Sequence, residues 1–157
     1  MTRSLFVIVW ACAALPCAAL DGVVTRVSDG DTLWVRPADG GKPRKLRVQG
    51  IDAPERCQAW GRESGEQLAA LVMGRRVHAV EGPLDDHGRQ LVRLMRGDLD
   101  VGDWMVRQGH AWSHRYRRDP GPYAAQEREA RAARRGLFAD PAAMSPREFR
   151  RQHGPCT

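Results

Sequence analysis

The stretch that decides the fold reads Val23-Val24-Thr25-Arg26-Val27-Ser28-Asp29-Gly30-Asp31-Thr32-Leu33-Trp34-Val35-Arg36. Val23, Thr25 and Val27 alternate with Val24, Arg26 and Ser28, the period of two that places successive side chains on opposite faces of a strand. Asp29-Gly30 interrupts the run as a hairpin turn does, with the glycine expected at positive φ. Thr32 to Arg36 is β-branched and aromatic and reads as the returning strand.

Beyond the hairpin, Ala38 to Pro43 is a turn rich in Gly and Pro. Lys45 to Gln49 is a third strand, with Leu46 and Val48 on one face and Lys45, Arg47 and Gln49 on the other. A helix is expected from about Trp60 to Gly74, because Leu68, Leu71 and Val72 fall on one face and Gly74 stops it. Val77 to Val80 and Leu91 to Met95 read as strands four and five, separated by a loop from Glu81 to Gly88. A short helix starts at Asp100 as N-cap, buries Val101, Trp104 and Met105, and ends at Gly109. Another runs from Tyr123 to Arg135, with a Glu127–Arg131 pair and Gly136 to close it. Ser145-Pro146-Arg147-Glu148 looks like one more helix start. Three strands, a helix, two strands and then helices is the connectivity of a five-stranded OB-fold barrel. The expected class is therefore a β-barrel with helices, an α+β fold with about three of them.

Residues 1–19 read as a secretory signal peptide: Arg3, then the apolar run Leu5 to Leu15, then small residues Cys17-Ala18-Ala19. That run is shorter than the roughly 20 residues a spanning helix needs, so no membrane association is expected once the leader is removed. The expected organisation is a leader over 1–19, one barrel domain over 20–140 and a C-terminal extension over 141–157. Location is expected to be secreted or periplasmic. Of four cysteines, Cys57 and Cys156 then remain, and a disulfide between them is their simplest use in an oxidising compartment; two free thiols are the alternative.

The whole chain of 157 residues carries a net charge of +6, and losing the leader removes only Arg3 among charged residues. A sequence pI near 9.8 suits a polyanionic partner, nucleic acid being the commonest. All but two of its 25 basic residues are arginine, so any one arginine is weakly informative. The five histidines show no metal-ligand spacing and there is no Cys pair two apart, so a zinc site is not expected. Trp34, Trp60, Trp104 and Trp112 read as core, and the stripe Arg128, Arg131, Arg134, Arg135 reads as a solvated helix face.

Acids and arginines concentrate at turns and strand ends: Asp29-Gly30-Asp31-Thr32, then Arg47 with Asp52-Ala53-Pro54-Glu55, then Gly88-Arg89. Their order and spacing resemble the staphylococcal nuclease family. So do Leu99-Asp100-Val101, Val106-Arg107-Gln108-Gly109-His110-Ala111-Trp112, Gly136-Leu137-Phe138 and the ending Pro146 to Arg150, so that the resemblance covers roughly residues 22 to 150. It implies that Asp31 and Asp52 are carboxylate ligands of one Ca²⁺, with the Ala53 carbonyl as backbone ligand. Glu55 would act as general base on water, and Arg47 and Arg89 would bind the scissile phosphate. Cleavage of the bond to the 5′ oxygen, leaving 3′-phosphate ends, is implied on DNA and RNA alike. Ala53 stands where the family prototype has Thr, His87 where Tyr is common, and Phe138 where Trp is usual; Tyr116 lies near the family's substrate-stacking tyrosines. A monomer is the default. The other class of function is a non-catalytic OB-fold nucleic-acid-binding module, which has no need of Asp31, Arg47, Asp52, Glu55 and Arg89 together.

Overall fold

The computed structural model describes residues 18–156. Apart from Ala18 and Ala19, the leader expected over 1–19, with Cys12 and Cys17, lies outside the described residues. The hairpin forms as its alternation dictates. β1 (Ala19–Val27) runs antiparallel to β2 (Thr32–Pro37), with Val24 opposite Val35 and Val27 opposite Leu33. Leu20, Gly22 and Val24 are buried while Asp21, Val23 and Thr25 are exposed. A register shift between Val24 and Arg26 marks a bulge, which bends the strand toward barrel curvature.

β3 (Arg44–Val48) pairs antiparallel with β2 and parallel with β6 (Gln90–Arg96), with Leu46 opposite Gln90 and Val48 opposite Val92. β5 (Arg76–Leu84) lies between β1 and β6, so the β3–β6 pairing closes a five-stranded barrel and removes its free edges. Leu33, Val35, Leu46, Val48, Ala79, Val92 and Leu94 fill the interior. α1 (Gly61–Val72) covers it with Leu68, Leu71 and Val72, and α2 (Val101–Arg107) with Val101, Met105 and Val106. Each such aliphatic side chain contributes about 1.5–3 kcal/mol by leaving water.

α3 (Ala124–Ala132) and a 3₁₀ turn (Gly136–Ala139) build a second cluster of Ala130, Leu137 and Phe138 with Trp112, and α4 (Pro146–His153) follows them in the chain. Trp112 meets the Phe138 ring edge-on at 5.8 Å between centroids. Glu127 is 2% exposed and ties this layer together. It accepts from the Ser113 backbone N–H at 3.0 Å, from Arg115 at 2.7 Å and from Arg131 at 2.9 Å. Among the described residues no helix is long and apolar enough to cross a membrane.

Several expectations change. The described residues hold four α-helices, the fourth being the one whose start was read at Ser145, where Ser145 and Glu148 complete a capping box. Gly30 does not take a positive φ. A Cβ there would lie 1.9 Å from Ser64 Oγ, so the glycine is required by packing of the turn on α1. The loop expected from Glu81 is strand as far as Leu84, with a register shift between Glu81 and Leu84 that accommodates Pro83. Trp104 is half-buried, beside His110 at 5.5 Å between ring centroids. α3 ends at Ala132, and the chain reverses at Arg134, φ 50°. Gly136 instead packs on Gly109, whose carbonyl oxygen would lie 2.2 Å from an added Cβ. Three two-residue strands, β4 (Ile51–Asp52), β7 (Leu99–Asp100) and β8 (Trp112–Ser113), are too short to show any period in the sequence.

Candidate active site

Asp31 stands at the entry to β2. Its backbone N–H donates to Asp29 Oδ1 at 3.2 Å, and its carbonyl accepts from the Val48 N–H at 2.8 Å. Thr32 lies opposite Arg47 in the β2–β3 ladder, which brings the outward guanidinium of Arg47 to the Asp31 carboxylate. Arg47 Nη2 lies 2.9 Å from Asp31 Oδ2 and 3.4 Å from Asp52 Oδ1.

Asp52 is there because the chain turns sharply out of β3. Gly50 takes φ 81°, and a Cβ on it would also meet Pro122 Cγ at 2.6 Å. β4 is then pinned by β8, with Asp52 opposite Trp112 and the His114 N–H donating to the Gly50 carbonyl at 2.8 Å. The Ala53 N–H points at Asp31 Oδ2, 3.4 Å away. Glu55 is held by its backbone: its N–H donates to Gln58 Oε1 at 3.1 Å and its carbonyl accepts from the Gln58 N–H at 2.9 Å. Gly61 packs on that carbonyl so closely that a Cβ would lie 1.9 Å from the oxygen.

Arg89 closes the β5–β6 hairpin. Asp85 Oδ1 accepts from the backbone N–H groups of His87 at 3.0 Å and Arg89 at 2.8 Å, while Oδ2 accepts from Arg89 Nε at 2.7 Å. Among the described residues no hydrogen bond engages the two terminal nitrogens of Arg89.

These elements meet at a cavity of about 580 Å³, lined by Asp31, Arg47, Ala53, Glu55, Arg89 and Arg150 among others. Five of the six residues singled out in the sequence thus line one cavity, and Asp52 joins them through its ion pair with Arg47. A second hollow of about 890 Å³ shares Arg47, His87, Arg89 and Arg150 and is walled by Tyr116 and Tyr123. Two participants escaped the sequence reading. Asp85 orients Arg89, and its only signal is an acid four residues before an arginine across a Gly-bearing turn. Arg150 donates to Glu55 from α4, 95 positions away, and nothing local to either residue announces that contact.

The electrostatics leave room for a cation. Burial pushes the Asp31 carboxyl up to about 7, against the lowering influence of Arg47. Burial also raises Asp52, against Arg150 and Arg47. Burial outweighs the nearby guanidinium groups at both carboxylates, so a further positive charge beside them is electrostatically favoured. Among the described residues no group of three or more His, Cys, Asp and Glu is arranged to hold a metal. Asp31 and Asp52 offer carboxylate oxygens, the kind of hard donor that Ca²⁺ takes in irregular geometry.

The family model described as Staphylococcal nuclease homologue matches residues 45–140. An "Uncharacterized endonuclease" of Escherichia coli O157:H7 is 38% identical over 144 residues, covering 90% of each chain. One of the same description from Haemophilus influenzae is 38% identical over 130 residues, 82% of this chain and 72% of that one. A "Micrococcal nuclease" of Shigella flexneri is 34% identical over 141 residues, 83% of this chain and 80% of that one. With a barrel of the expected connectivity and matches of this extent, the chain belongs to the staphylococcal nuclease family.

Proposed function

We propose that the chain, a nuclease by family, is a calcium-dependent endonuclease that hydrolyses phosphodiester bonds of DNA and RNA outside the cytoplasm. The observation that carries this reading is the meeting of Asp31, Arg47, Ala53, Glu55 and Arg89, from separate segments, around one cavity. Asp31, Asp52 and the Ala53 carbonyl would hold the ion. When bound, Ca²⁺ supplies positive charge beside the phosphate.

The chain's own groups divide the remaining work. Arg47 exchanges a carboxylate partner for a phosphate oxygen, and Arg89 offers its terminal nitrogens while Asp85 fixes Nε. Both cations favour the transition state, where charge on the phosphoryl oxygens is greatest. Glu55 accepts the proton of the attacking water, on a backbone fixed by Gln58. The Cys57–Cys156 disulfide supports a secreted or periplasmic location. The nuclease unit proposed over residues 20–140 contains each of these side chains except Cys156, which lies in the extension proposed over residues 141–157.

The test is digestion of DNA and RNA with Ca²⁺ or with chelator. Activity is expected with calcium and none in chelator. Glu55→Ala and Arg89→Ala should each lower the rate by about 10²–10³-fold with an unchanged melting temperature. Wild-type rates in both variants would sink the site assignment, and tight binding without cleavage would favour the binding-module reading.

A further inference from the structure

Three ties fasten the C-terminal segment to the loop that carries Glu55. Cys57 and Cys156 form a disulfide, Gln58 Nε2 donates to the Met144 carbonyl at 2.6 Å, and Arg150 Nη1 donates to Glu55 Oε1 at 2.5 Å. The same Arg150 nitrogen lies 3.8 Å from Asp52 Oδ1. α4 carries three arginines, Arg147, Arg150 and Arg151, but of these only Arg150 lines the cavity and the adjoining hollow. Pro155 and Cys156 form part of the cavity wall, so the disulfide itself borders the site.

Four arginines line the cavity, and three of them rest on a carboxylate: Arg47 on Asp31, Arg89 on Asp85 and Arg150 on Glu55. The Arg150 side chain is 42% exposed, and an ion pair so open to water does little for stability. Among the described residues only Nη1 of this guanidinium is bonded, which leaves the other donors of the fork for a second anion. A phosphate oxygen has the charge and geometry to draw this guanidinium away from Glu55, which would leave both carboxylate oxygens open to the attacking water.

We propose that Arg150 is a third phosphate-binding residue of the site, donating to a phosphate oxygen of the nucleic-acid strand, and that the Cys57–Cys156 disulfide holds α4 where this arginine can reach. The proposal rests on the nuclease reading above and adds to it a residue from outside the segment that the family model matches.

The experiment compares the wild type with Arg150→Ala, Arg150→Lys, the Cys57→Ser/Cys156→Ser double variant and the triple combination with Arg150→Ala. A labelled single-stranded oligodeoxynucleotide is titrated in chelator over a range of salt, and cleavage kinetics and melting temperatures are measured alongside. Arg150→Ala is expected to weaken binding about tenfold, to reduce the slope of log affinity on log salt by about 0.7, and to lower kcat/KM at an unchanged melting temperature. Lysine should restore the salt slope but only part of the affinity. The double cysteine variant should lose as much binding as Arg150→Ala, and the triple variant no more than either. Arg76→Ala, which removes the same charge outside the lining of both cavities, should leave kcat/KM unchanged.

Faster cleavage by Arg150→Ala would make the arginine an inhibitory latch on Glu55. Unchanged binding and cleavage with a lower melting temperature would make it a structural pair. Either result, with the wild type cleaving, overturns the proposal and leaves the nuclease reading standing. Wild-type binding by the double cysteine variant overturns the tether. Because Arg150→Ala leaves the disulfide in place, its result does not depend on how the cysteine variants fold. A wild type that binds but never cleaves would sink the nuclease reading alone, since the chelator titration still reads Arg150.

Discussion

Arg47 reaches from β3 to the Asp31 carboxylate at the entry of β2, with Nη2 2.9 Å from Oδ2 and Nη1 3.2 Å from Oδ1. It also pairs with Asp52, so one guanidinium neutralises two carboxylates that burial disfavours. Removing it leaves both without their nearest cation. Arg47→Ala is expected to lose about 3 kcal/mol of stability in chelator at a pH where both acids ionise, and to regain part of it with Ca²⁺. Urea unfolding with and without calcium checks this; equal midpoints for variant and wild type in chelator would contradict it.

Stability should depend on pH with opposite sign in the two metal states. Burial raises Asp31 from 3.8 to about 7, so between those values the folded chain keeps a proton that the unfolded chain has released. The stability this group contributes is complete below the lower value and is lost as pH rises through the upper one. Calcium binds the ionised carboxylate and so gains affinity over the same interval. In chelator the melting temperature of the wild type should fall, relative to Asp31→Asn, as pH rises through about 7, and excess Ca²⁺ should reverse that trend. Parallel curves for the two proteins in chelator would refute the assignment.

Glu127 anchors α3 to β8 from a position that is 2% exposed. Glu127→Ala strips the partner from the Ser113 N–H and from Arg115 and Arg131 and opens a hole in the second core cluster. A loss of about 3–5 kcal/mol is expected. Calorimetry reads it directly, and a change within experimental scatter would show that these contacts are replaceable by water.

Gly30 tests the packing reading of the first turn. In Gly30→Ala the new Cβ meets Ser64 Oγ at 1.9 Å and Ala53 Cβ at 2.8 Å. Ser64 is not free to move, because its hydroxyl donates to the His110 carbonyl at 2.7 Å. A cost of about 1–3 kcal/mol is expected, with partial rescue by Ser64→Ala, which removes the nearer atom. If the turn instead required positive φ, Ser64→Ala would rescue nothing.

The hairpin, the helix faces and the capping box at Ser145 were legible because each depends on residues a few positions apart. Val24 and Val35 are buried, as their strand pattern requires, and Leu68, Leu71 and Val72 cover the barrel as their spacing requires. The barrel class followed from the order of the elements, and the candidate residues followed from a resemblance carried by several linked motifs. The expected disulfide is present as well. The arginine stripe was read only in part. Arg131 binds Glu127, as their spacing of four predicts, but it also lies 4.3 Å from the centre of the Phe138 ring, which helical spacing does not reveal.

What the sequence by itself determined is the set of local choices: which stretches pair as strands, which face of each helix is apolar, and where the chain turns. These follow from side-chain periodicity and from backbone preferences that act over a few residues. Only the tertiary structure decided that Gly30 is needed for contact with Ser64, that Asp85 aims Arg89, and that Arg150 comes to rest on Glu55. Each of those depends on a close approach or a side-chain orientation set by how whole elements pack, and that geometry has no signature in the neighbouring residues.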